Sequence, residues 1–244
     1  MNIFSYFKSN KTQNIDTIPI TVDIHSHLLP GIDDGVKSMK DAITIIKKFK
    51  MLGYSKLITT PHIIPDFYPA NKELIIQKLQ AVRTALQAEN IEIILEASAE
   101  YYVDMNFLKL IEEDELIPFM GHYILFETGY TSKPMILEVA IKALIEKGYI
   151  PVLAHPEQYI YLHHDINLYK ELKAMGVLFQ VNIKSLQYKS KSVYKIAKKL
   201  IQLNLVDFVG SDVHRIRDME KLERTLQTKE YLNMITTNKI LNNH

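Results

Sequence analysis

The chain has 244 residues, of which 47% are hydrophobic, and this length fits one large domain such as an α/β barrel of about 250 residues. Its 29 lysines and arginines nearly balance 28 aspartates and glutamates, so the formal net charge of +1 gives no general attraction to nucleic acid or to an anionic membrane. The absence of cysteine excludes disulfides, thiolate metal ligands and any thiol nucleophile.

Residues 1–16 are predicted to be an N-terminal extension ahead of a single domain at residues 17–244. The extension mixes aromatic residues with lysine and asparagine, and it lacks the continuous apolar core of a signal peptide. No apolar run in the sequence reaches the roughly 20 residues that span a bilayer. We therefore expect a cytoplasmic protein that is not integral to a membrane.

From residue 18 onward, short β-branched runs alternate with segments of helical period, which predicts repeated βα units around a parallel sheet. Seven runs have the composition of strands, and they are Pro19–Ile24, Lys56–Thr60, Ile91–Ala97, Tyr123–Glu127, Ile150–Ala154, Leu178–Ile183 and Asp207–Ser211. Five segments have the period of amphipathic helices, and they are Ser38–Leu52, Lys72–Glu89, Pro134–Lys147, Ile166–Met175 and Val193–Leu203. The pattern indicates an α/β barrel with one strand fewer than the usual eight.

Polar side chains that can bind metal ions lie at or just beyond the ends of six of the seven predicted strands. They are His25 and His27 with Asp33 and Asp34 in the loop after the first strand, His62 after the second, Glu100 after the third, Glu127 at the end of the fourth, His155 and Glu157 after the fifth, and Asp212 and His214 after the seventh. The sixth strand offers no evident ligand. Barrel enzymes assemble their chemistry at this end of the sheet.

The spacing of these residues favours convergence on a common centre. Residues i and i+2 of an extended chain point the same way, so His25 and His27 can face one point, as can Asp212 and His214. Imidazole and carboxylate groups suit zinc, manganese and iron. Taken singly, each residue fits equally well as a helix cap, a turn residue or a solvated acid. Their coincidence at one end of one sheet predicts a metal centre.

The motifs H-x-H, T-P-H, an isolated glutamate, H-P-E and S-D-x-H, spread over residues 20–216, resemble those of the polymerase and histidinol phosphatase (PHP) superfamily. The string from Asp23 to Gly35 is similar to the signature of protein-tyrosine phosphatases from bacterial capsule and exopolysaccharide loci. The resemblance implies the PHP fold, which is a distorted seven-stranded (β/α) TIM-like barrel.

The resemblance also implies three divalent metal ions and assigns their ligands by matching position. The first ion would be held by His25, His27, Glu100 and Asp212, the second by Asp34, His62 and His214, and the third by Glu100, Glu127 and His155. The choice of Asp34 over its neighbour Asp33 follows from the resemblance, since spacing leaves both open. Manganese is the expected metal, with iron and zinc as alternatives.

The chain departs from the family pattern directly after H-P-E, where the family commonly has an arginine and this sequence has Gln158. That departure removes a fixed positive charge that could bind phosphate. Arg215 and Arg217, just past the last metal motif, are the candidate catalytic cations that would compensate. Both fit equally well as solvated surface arginines.

Charge and leaving group indicate how such a site would act. Three divalent cations bring six positive charges and four carboxylates remove four, so the site would attract a phosphate dianion. Metals lower the pKa of bound water from 15.7 to about 7, which supplies a hydroxide without a protein nucleophile. A tyrosine leaving group has a pKa near 10 and departs with little help from an acid. Tyr101, Tyr102 and Tyr130 follow two ligand positions and would either line a groove for the substrate ring or pack the barrel rim.

The expected activity is therefore hydrolysis of protein phosphotyrosine, and the resemblance implies a substrate in the tyrosine-rich tail of a bacterial tyrosine kinase that controls polysaccharide assembly. One alternative is a small-molecule phosphatase of the histidinol phosphatase type. A nuclease-like phosphodiesterase is disfavoured because the sequence has no basic runs, and no nucleic-acid partner is expected. A metal-binding regulatory protein without catalysis is the alternative from a different class.

Overall fold

The computed structural model describes residues 20–187 and 191–243. The predicted extension at residues 1–16 lies outside these ranges, and so does the start of the first predicted strand. Within the described ranges, every helix is too short or too polar to cross a bilayer.

Nine short strands pair in parallel and form two sheets within the described part of the chain. They are β1 (Val22–Asp23), β2 (Lys56–Thr59), β3 (His62–Ile63), β4 (Ile94–Ala97), β5 (Glu100–Tyr102), β6 (Tyr123–Glu127), β7 (Ile150–Ala154), β8 (Leu178–Asn182) and β9 (Phe208–Gly210). One sheet has the order β1-β2-β4, and the other has the order β3-β5-β6-β7-β8-β9. The prediction of an α/β fold built on parallel strands is confirmed.

Two of the predicted strands are each followed, after a short gap, by a further strand that the sequence analysis did not predict. β2 ends at Thr59 and β3 begins at His62, whereas β4 ends at Ala97 and β5 begins at Glu100. The two stretches keep one parallel register across the gap, since Lys56 pairs with Ile94 and His62 pairs with Glu100. Each gap falls directly before a predicted metal ligand.

The chain segments that follow the first and last strands, β1 and β9, lie side by side. The Asp212 N–H donates to the His25 carbonyl at 2.8 Å, and the His27 N–H donates to the Val213 carbonyl at 2.9 Å. Ser26 forms a parallel bridge with Val213. Motifs that are almost 190 residues apart in the sequence therefore share one short stretch of backbone pairing.

Eight α-helices surround the strands in the described ranges. They are α1 (Met39–Met51), α2 (Lys72–Ala88), α3 (Met105–Glu112), α4 (Leu137–Glu146), α5 (Ile166–Ala174), α6 (Ser192–Gln202), α7 (Ile216–Leu226) and α8 (Lys229–Thr237). All five predicted helices are present, whereas the sequence analysis missed α3, α7 and α8. Short 3₁₀ turns at Pro156–Gln158, Ile160–Leu162 and Ile183–Gln187 follow two of the strands.

Helix α1 shows how local sequence positions an element against the sheet. The Ser38 hydroxyl accepts a hydrogen bond from the Asp41 N–H at 3.2 Å and caps the helix at its start. The buried face carries Ile46 and Phe49, both fully covered. Burial of a large apolar side chain contributes about 1.5–3 kcal/mol, so this face anchors the helix.

We expect Phe49→Ala to lower the free energy of unfolding by about 3–5 kcal/mol, because it deletes a buried ring and leaves a cavity. Met51→Ala is the matched control on the same helix, since its side chain is 74% exposed, and we expect a change within about 0.5 kcal/mol. Urea denaturation followed by circular dichroism measures both changes. Equal effects from the two substitutions would contradict the packing described for α1.

Candidate metal centre

A cavity of about 300 Å³ opens at the carboxyl ends of the strands. Its walls are formed by Asp34, His62, Glu100, Tyr130, His155, Lys184, Asp212, His214, Arg215, Arg217 and Asp218. The three predicted ligands that are not part of these walls, namely His25, His27 and Glu127, each contact a residue that is. The fold therefore brings together all nine residues that the sequence analysis named as metal ligands.

The first predicted ligand set converges tightly. The Nε2 atoms of His25 and His27 lie 3.3 Å apart, and Glu100 Oε2 lies 3.1 Å from the first and 3.4 Å from the second. Asp212 Oδ1 lies 3.8 Å and 3.7 Å from the same two nitrogens. Both imidazoles are fully buried.

Hydrogen bonds behind the two imidazoles set which nitrogen carries the proton. His25 Nδ1 lies 2.7 Å from the Gln180 side-chain oxygen, and His27 Nδ1 lies 2.7 Å from Asp33 Oδ2. Both partners are acceptors, so each ring donates from Nδ1 and, when neutral, presents a lone pair at Nε2. Two lone pairs that face each other and a carboxylate repel unless a cation lies between them. This donor set fits a divalent metal ion, whose histidine ligands are ordinarily held in this way.

The remaining predicted ligands form two further groups. Asp34 Oδ1 lies 3.3 Å from His214 Nε2 and 3.6 Å from His62 Nε2. The other ring nitrogen of His62 lies 2.8 Å from Glu127 Oε1 and 3.2 Å from Glu100 Oε2. His62 therefore faces one group with each nitrogen, and both groups have the residue types and spacing that hold a metal ion.

Two buried atoms in these groups, Asp34 Oδ1 and His62 Nδ1, have charged neighbours within 3.3 Å but no hydrogen bond of suitable geometry among the described residues. Both atoms lie at positions that the sequence analysis assigned to ligands, and a bound cation would satisfy them. His155 contacts the other carboxylate oxygen of Glu100, with its Nε2 2.9 Å from Oε1.

The carboxylates change the proton affinity of the histidines around them. Burial acts to lower the pKa of His62, but the charges of Glu100 and Glu127 outweigh it and raise that pKa to about 10. Burial is likewise outweighed at His214, where Asp212 and Asp34 raise the pKa to about 11. The site therefore attracts positive charge strongly, and metal ions would bind there in place of these protons.

Strand β8 contributes residues that the sequence analysis missed. Gln180 donates from Nε2 to Asn182 Oδ1 at 2.9 Å, and Asn182 donates from Nδ2 to Asp212 Oδ2 at 2.6 Å. Together with the contact to His25, these bonds orient two predicted ligands. The signal in the sequence was the alternation of two amides, at i and i+2, on one face of a buried strand.

Asp23 and Glu157 belong to the motifs found in the sequence, but each makes hydrogen bonds that stabilise the surrounding backbone. Asp23 accepts from the N–H and the hydroxyl of Ser211, at 2.8 Å and 2.7 Å, and burial raises its pKa to about 7. Glu157 Oε1 accepts from the Asn182 N–H at 2.9 Å and from the Ser185 hydroxyl at 2.8 Å. These buried carboxylates fix the turns that carry the ligands.

Two glycines are required because the backbone approaches these groups closely. A Cβ added at Gly35 would lie 2.5 Å from His27 Cβ and would also meet the His27 carbonyl oxygen. A Cβ added at Gly210 would lie 2.6 Å from Gln180 Nε2 and 2.7 Å from His25 Cβ. The D-D-G sequence is therefore packed against a predicted ligand, beyond its ordinary use as a turn.

The other predicted residues lie at different depths. Arg215 and Arg217 line the cavity mouth, and both are exposed. Tyr130 also lines the cavity, with its ring centroid 6.1 Å from that of His155. Tyr101 is buried in the core, where its hydroxyl accepts from the Ile117 N–H at 2.7 Å, so the packing interpretation is correct for this residue.

Comparison with known proteins identifies related chains. Residues 21–241 match the family model described as capsular polysaccharide synthesis, CpsB/CapC. CapC of Staphylococcus aureus is 28% identical over 197 residues, which cover 80% of this chain and 77% of CapC. The tyrosine-protein phosphatase YwqE of Bacillus subtilis is 27% identical over 213 residues, which cover 86% of this chain and 82% of YwqE.

The fold is also similar to a solved structure. The match is to a chain from the crystal structures of YwqE from Bacillus subtilis and CpsB from Streptococcus pneumoniae, which are described as unique metal-dependent tyrosine phosphatases. Its TM-score is 0.78, with 24% sequence identity, and it covers 90% of this chain and 96% of that chain. At this level of identity the likeness establishes the fold.

Adding Mn²⁺ to chelator-stripped protein should raise the melting temperature by several degrees. A ligand bound only by the folded state stabilises it by about 2.7 kcal/mol at 100 times its Kd, and about 1 kcal/mol shifts the melting temperature of a domain this size by about 2–4 °C. His25→Ala should bind less manganese and show a smaller shift, because it removes a converging donor. Scanning calorimetry and elemental analysis measure the two effects. His122→Ala, which changes an exposed histidine, is the control and should match the unmodified protein.

Gln180→Leu should weaken metal affinity by about 10- to 100-fold, because it removes the acceptor that orients His25. Gln187→Leu is the control, since it also removes a side-chain hydrogen bond, to the Lys221 carbonyl. Competition against a fluorescent chelator measures both affinities. Unchanged affinity in Gln180→Leu would show that the amide does not position the ligand.

Proposed function

Because this chain belongs to the CpsB/CapC family of capsular polysaccharide synthesis, we propose that it is a metal-dependent protein-tyrosine phosphatase, a phosphoric monoester hydrolase. The observation that carries the proposal is the convergence of five histidines and four carboxylates at one cavity, whose walls they form directly or contact through a neighbouring ligand. Related proteins in the family are tyrosine-protein phosphatases, among them YwqE of Bacillus subtilis and CpsB of Streptococcus pneumoniae.

The metal complement that we propose is three divalent ions, with manganese first and iron or zinc as alternatives. The support is chemical, since nitrogen and oxygen donors in this mixture suit these metals. The proposed ligand sets are those of the sequence analysis, namely His25, His27, Glu100 and Asp212 for one ion, Asp34, His62 and His214 for the second, and Glu100, Glu127 and His155 for the third. The groups that converge in the structure differ in two respects, since His62 also lies with Glu100 and Glu127, and His27 also lies with Asp34, His62 and His214. Bound cations would supply Lewis acidity toward phosphoryl oxygens and lower the pKa of a water molecule.

The chain's own side chains would bind and orient the substrate. Arg215 and Arg217 lie at the cavity mouth, where their charges would attract a phosphate dianion. The Tyr130 ring forms part of the wall, and the Tyr68 ring stacks on His62 with centroids 5.7 Å apart. Two aromatic side chains beside the ligands suit an aromatic phosphate ester. A phenolate also leaves with less protonation than an alkoxide.

The fold proposed for this activity is a distorted seven-stranded TIM-like barrel of the PHP type. In this description β2 with β3 counts as one interrupted strand, and β4 with β5 counts as another. The backbone hydrogen bonds between the motifs after β1 and β9 support a closed ring. Closure would place every strand end around one cavity, as barrel enzymes require.

The proposed substrate is phosphotyrosine in the tyrosine-rich tail of a bacterial tyrosine kinase that controls capsule or exopolysaccharide assembly, which places the reaction in the cytoplasm. The family's description, capsular polysaccharide synthesis, supports the link to capsule assembly. The domain proposed to carry the activity is residues 17–244, and the family match at residues 21–241 is consistent with those bounds.

Phosphate release from a phosphotyrosine peptide tests the function directly. We expect chelator-stripped protein to be inactive and turnover to return when manganese, iron or zinc is restored. His25→Ala should reduce turnover by about 100-fold or more, because a catalytic metal supplies several kcal/mol and 1.36 kcal/mol corresponds to a factor of ten. The His122→Ala control should keep full activity.

The choice of substrate separates the alternatives. A phosphotyrosine peptide and para-nitrophenyl phosphate should both be cleaved faster than histidinol phosphate, because both release a stabilised phenolate. Preference for histidinol phosphate would identify a small-molecule phosphatase. Folded protein that binds metal but hydrolyses none of the three would be a metal-binding protein without catalysis.

A further inference from the structure

A lysine that the sequence analysis did not name lies in the cavity wall. Among the described residues that line the cavity, three carry a fixed positive charge, namely Lys184, Arg215 and Arg217. The two arginines are exposed at the start of α7, whereas the Lys184 side chain is only 21% exposed. Its charge is therefore the least screened by solvent of the three.

Lys184 contacts the proposed metal ligand Asp212. Its Nζ lies 3.2 Å from Asp212 Oδ2 and also donates to the Asp212 carbonyl oxygen. The other carboxylate oxygen, Oδ1, faces the imidazoles and lies 3.2 Å from His214 Nδ1. The Lys184 amino group thus contacts one carboxylate oxygen of Asp212, and the histidines contact the other.

The backbone around Lys184 is held in place by buried polar contacts. Lys184 belongs to the 3₁₀ turn Ile183–Gln187 that follows β8. Glu157 accepts hydrogen bonds from Asn182 at the end of the strand and from Ser185 within the turn. The fully buried Glu157 therefore holds the turn that carries Lys184, while Asp212 holds the amino group itself, so both are in place before any substrate arrives.

The number of N–H donors on the Lys184 amino group indicates its role. An ammonium group has three N–H donors, and the two contacts with Asp212 occupy two of them. Among the described residues, Lys184 Nζ makes these two contacts, and Lys184 lines the cavity. One N–H therefore remains for a ligand in the cavity, and a phosphoryl oxygen is the acceptor that an ammonium binds as a point charge.

We propose that Lys184 binds a phosphoryl oxygen of the substrate beside the metal cluster, which makes it a substrate-binding residue of this site. The inference rests on the proposed function. Its physical basis is a half-buried ammonium, fixed by Asp212 and by the turn after β8, that faces the cavity where the phosphate ester would lie.

The test compares Lys184→Gln and Lys184→Arg with a matched control, Lys173→Gln. Lys173 is also half-buried, with 22% of its side chain exposed, and it pairs with Asp207 at 2.5 Å away from the cavity lining. Isothermal titration of manganese-loaded protein with inorganic phosphate gives binding affinity. Elemental analysis gives metal content, and hydrolysis of a phosphotyrosine peptide gives KM and kcat separately.

We expect Lys184→Gln to weaken phosphate binding about tenfold and to raise KM by a similar factor, because it loses one charge-assisted hydrogen bond. Its metal content should match that of the unmodified protein. Lys184→Arg should retain phosphate affinity within about threefold, since the positive charge remains. Lys173→Gln should bind phosphate normally.

Three outcomes would overturn the proposal. The first is unchanged phosphate affinity in Lys184→Gln, and the second is absence of phosphate binding by the loaded, unmodified protein. The third is a fall in metal content that accounts for the weaker phosphate binding, because Lys184 would then act only by holding Asp212. If the unmodified protein binds phosphate but hydrolyses no ester, the proposed function fails while the titration still decides the role of Lys184.

Discussion

The buried carboxylate of Glu100 is the interaction on which the rest of the site depends. One of its oxygens lies 3.1–3.4 Å from nitrogens of His25, His27 and His62, and the other lies 2.9 Å from His155. A fully buried anion surrounded by imidazoles stabilises the fold only if positive charge accompanies it. Protons can supply that charge, as the raised histidine pKa values indicate, and divalent cations can supply it with greater charge density.

The frame around Glu100 keeps the imidazole lone pairs directed at common points. Gln180 and Asp33 hold two rings from behind, and Asp23 joins the first strand to Ser211 near the last. The polar residues of β8 thus orient ligands that follow other strands, although β8 itself supplies none. A cavity built in this way would hold the proposed cations beside the Lys184 ammonium and the Tyr130 ring within one volume of about 300 Å³.

Much of the fold could be predicted from the sequence because local patterns specify it. The runs at Tyr123–Glu127 and Ile150–Ala154 form strands over the predicted residues, since continuous apolar β-branched sequence fits a buried parallel strand. Helix α7 was missed because its sequence is dominated by charged residues, and its buried side, with Met219 and Leu222, becomes evident only in contact with the core. The short strands β3 and β5 were also missed, because segments of two and three residues carry too little sequence pattern to be recognised.

The sequence by itself determined the residue types of the site and their place after parallel strands, because motif spacing and strand ends are local properties. Only the tertiary structure decided which donors face each other, that His62 serves two groups, and that Gln180, Asn182 and Lys184 belong to the site. These relations join residues that are distant in the chain, such as Asp23 and Ser211. The physical reason is that distances between such residues are set by sheet curvature and core packing, which no local pattern encodes.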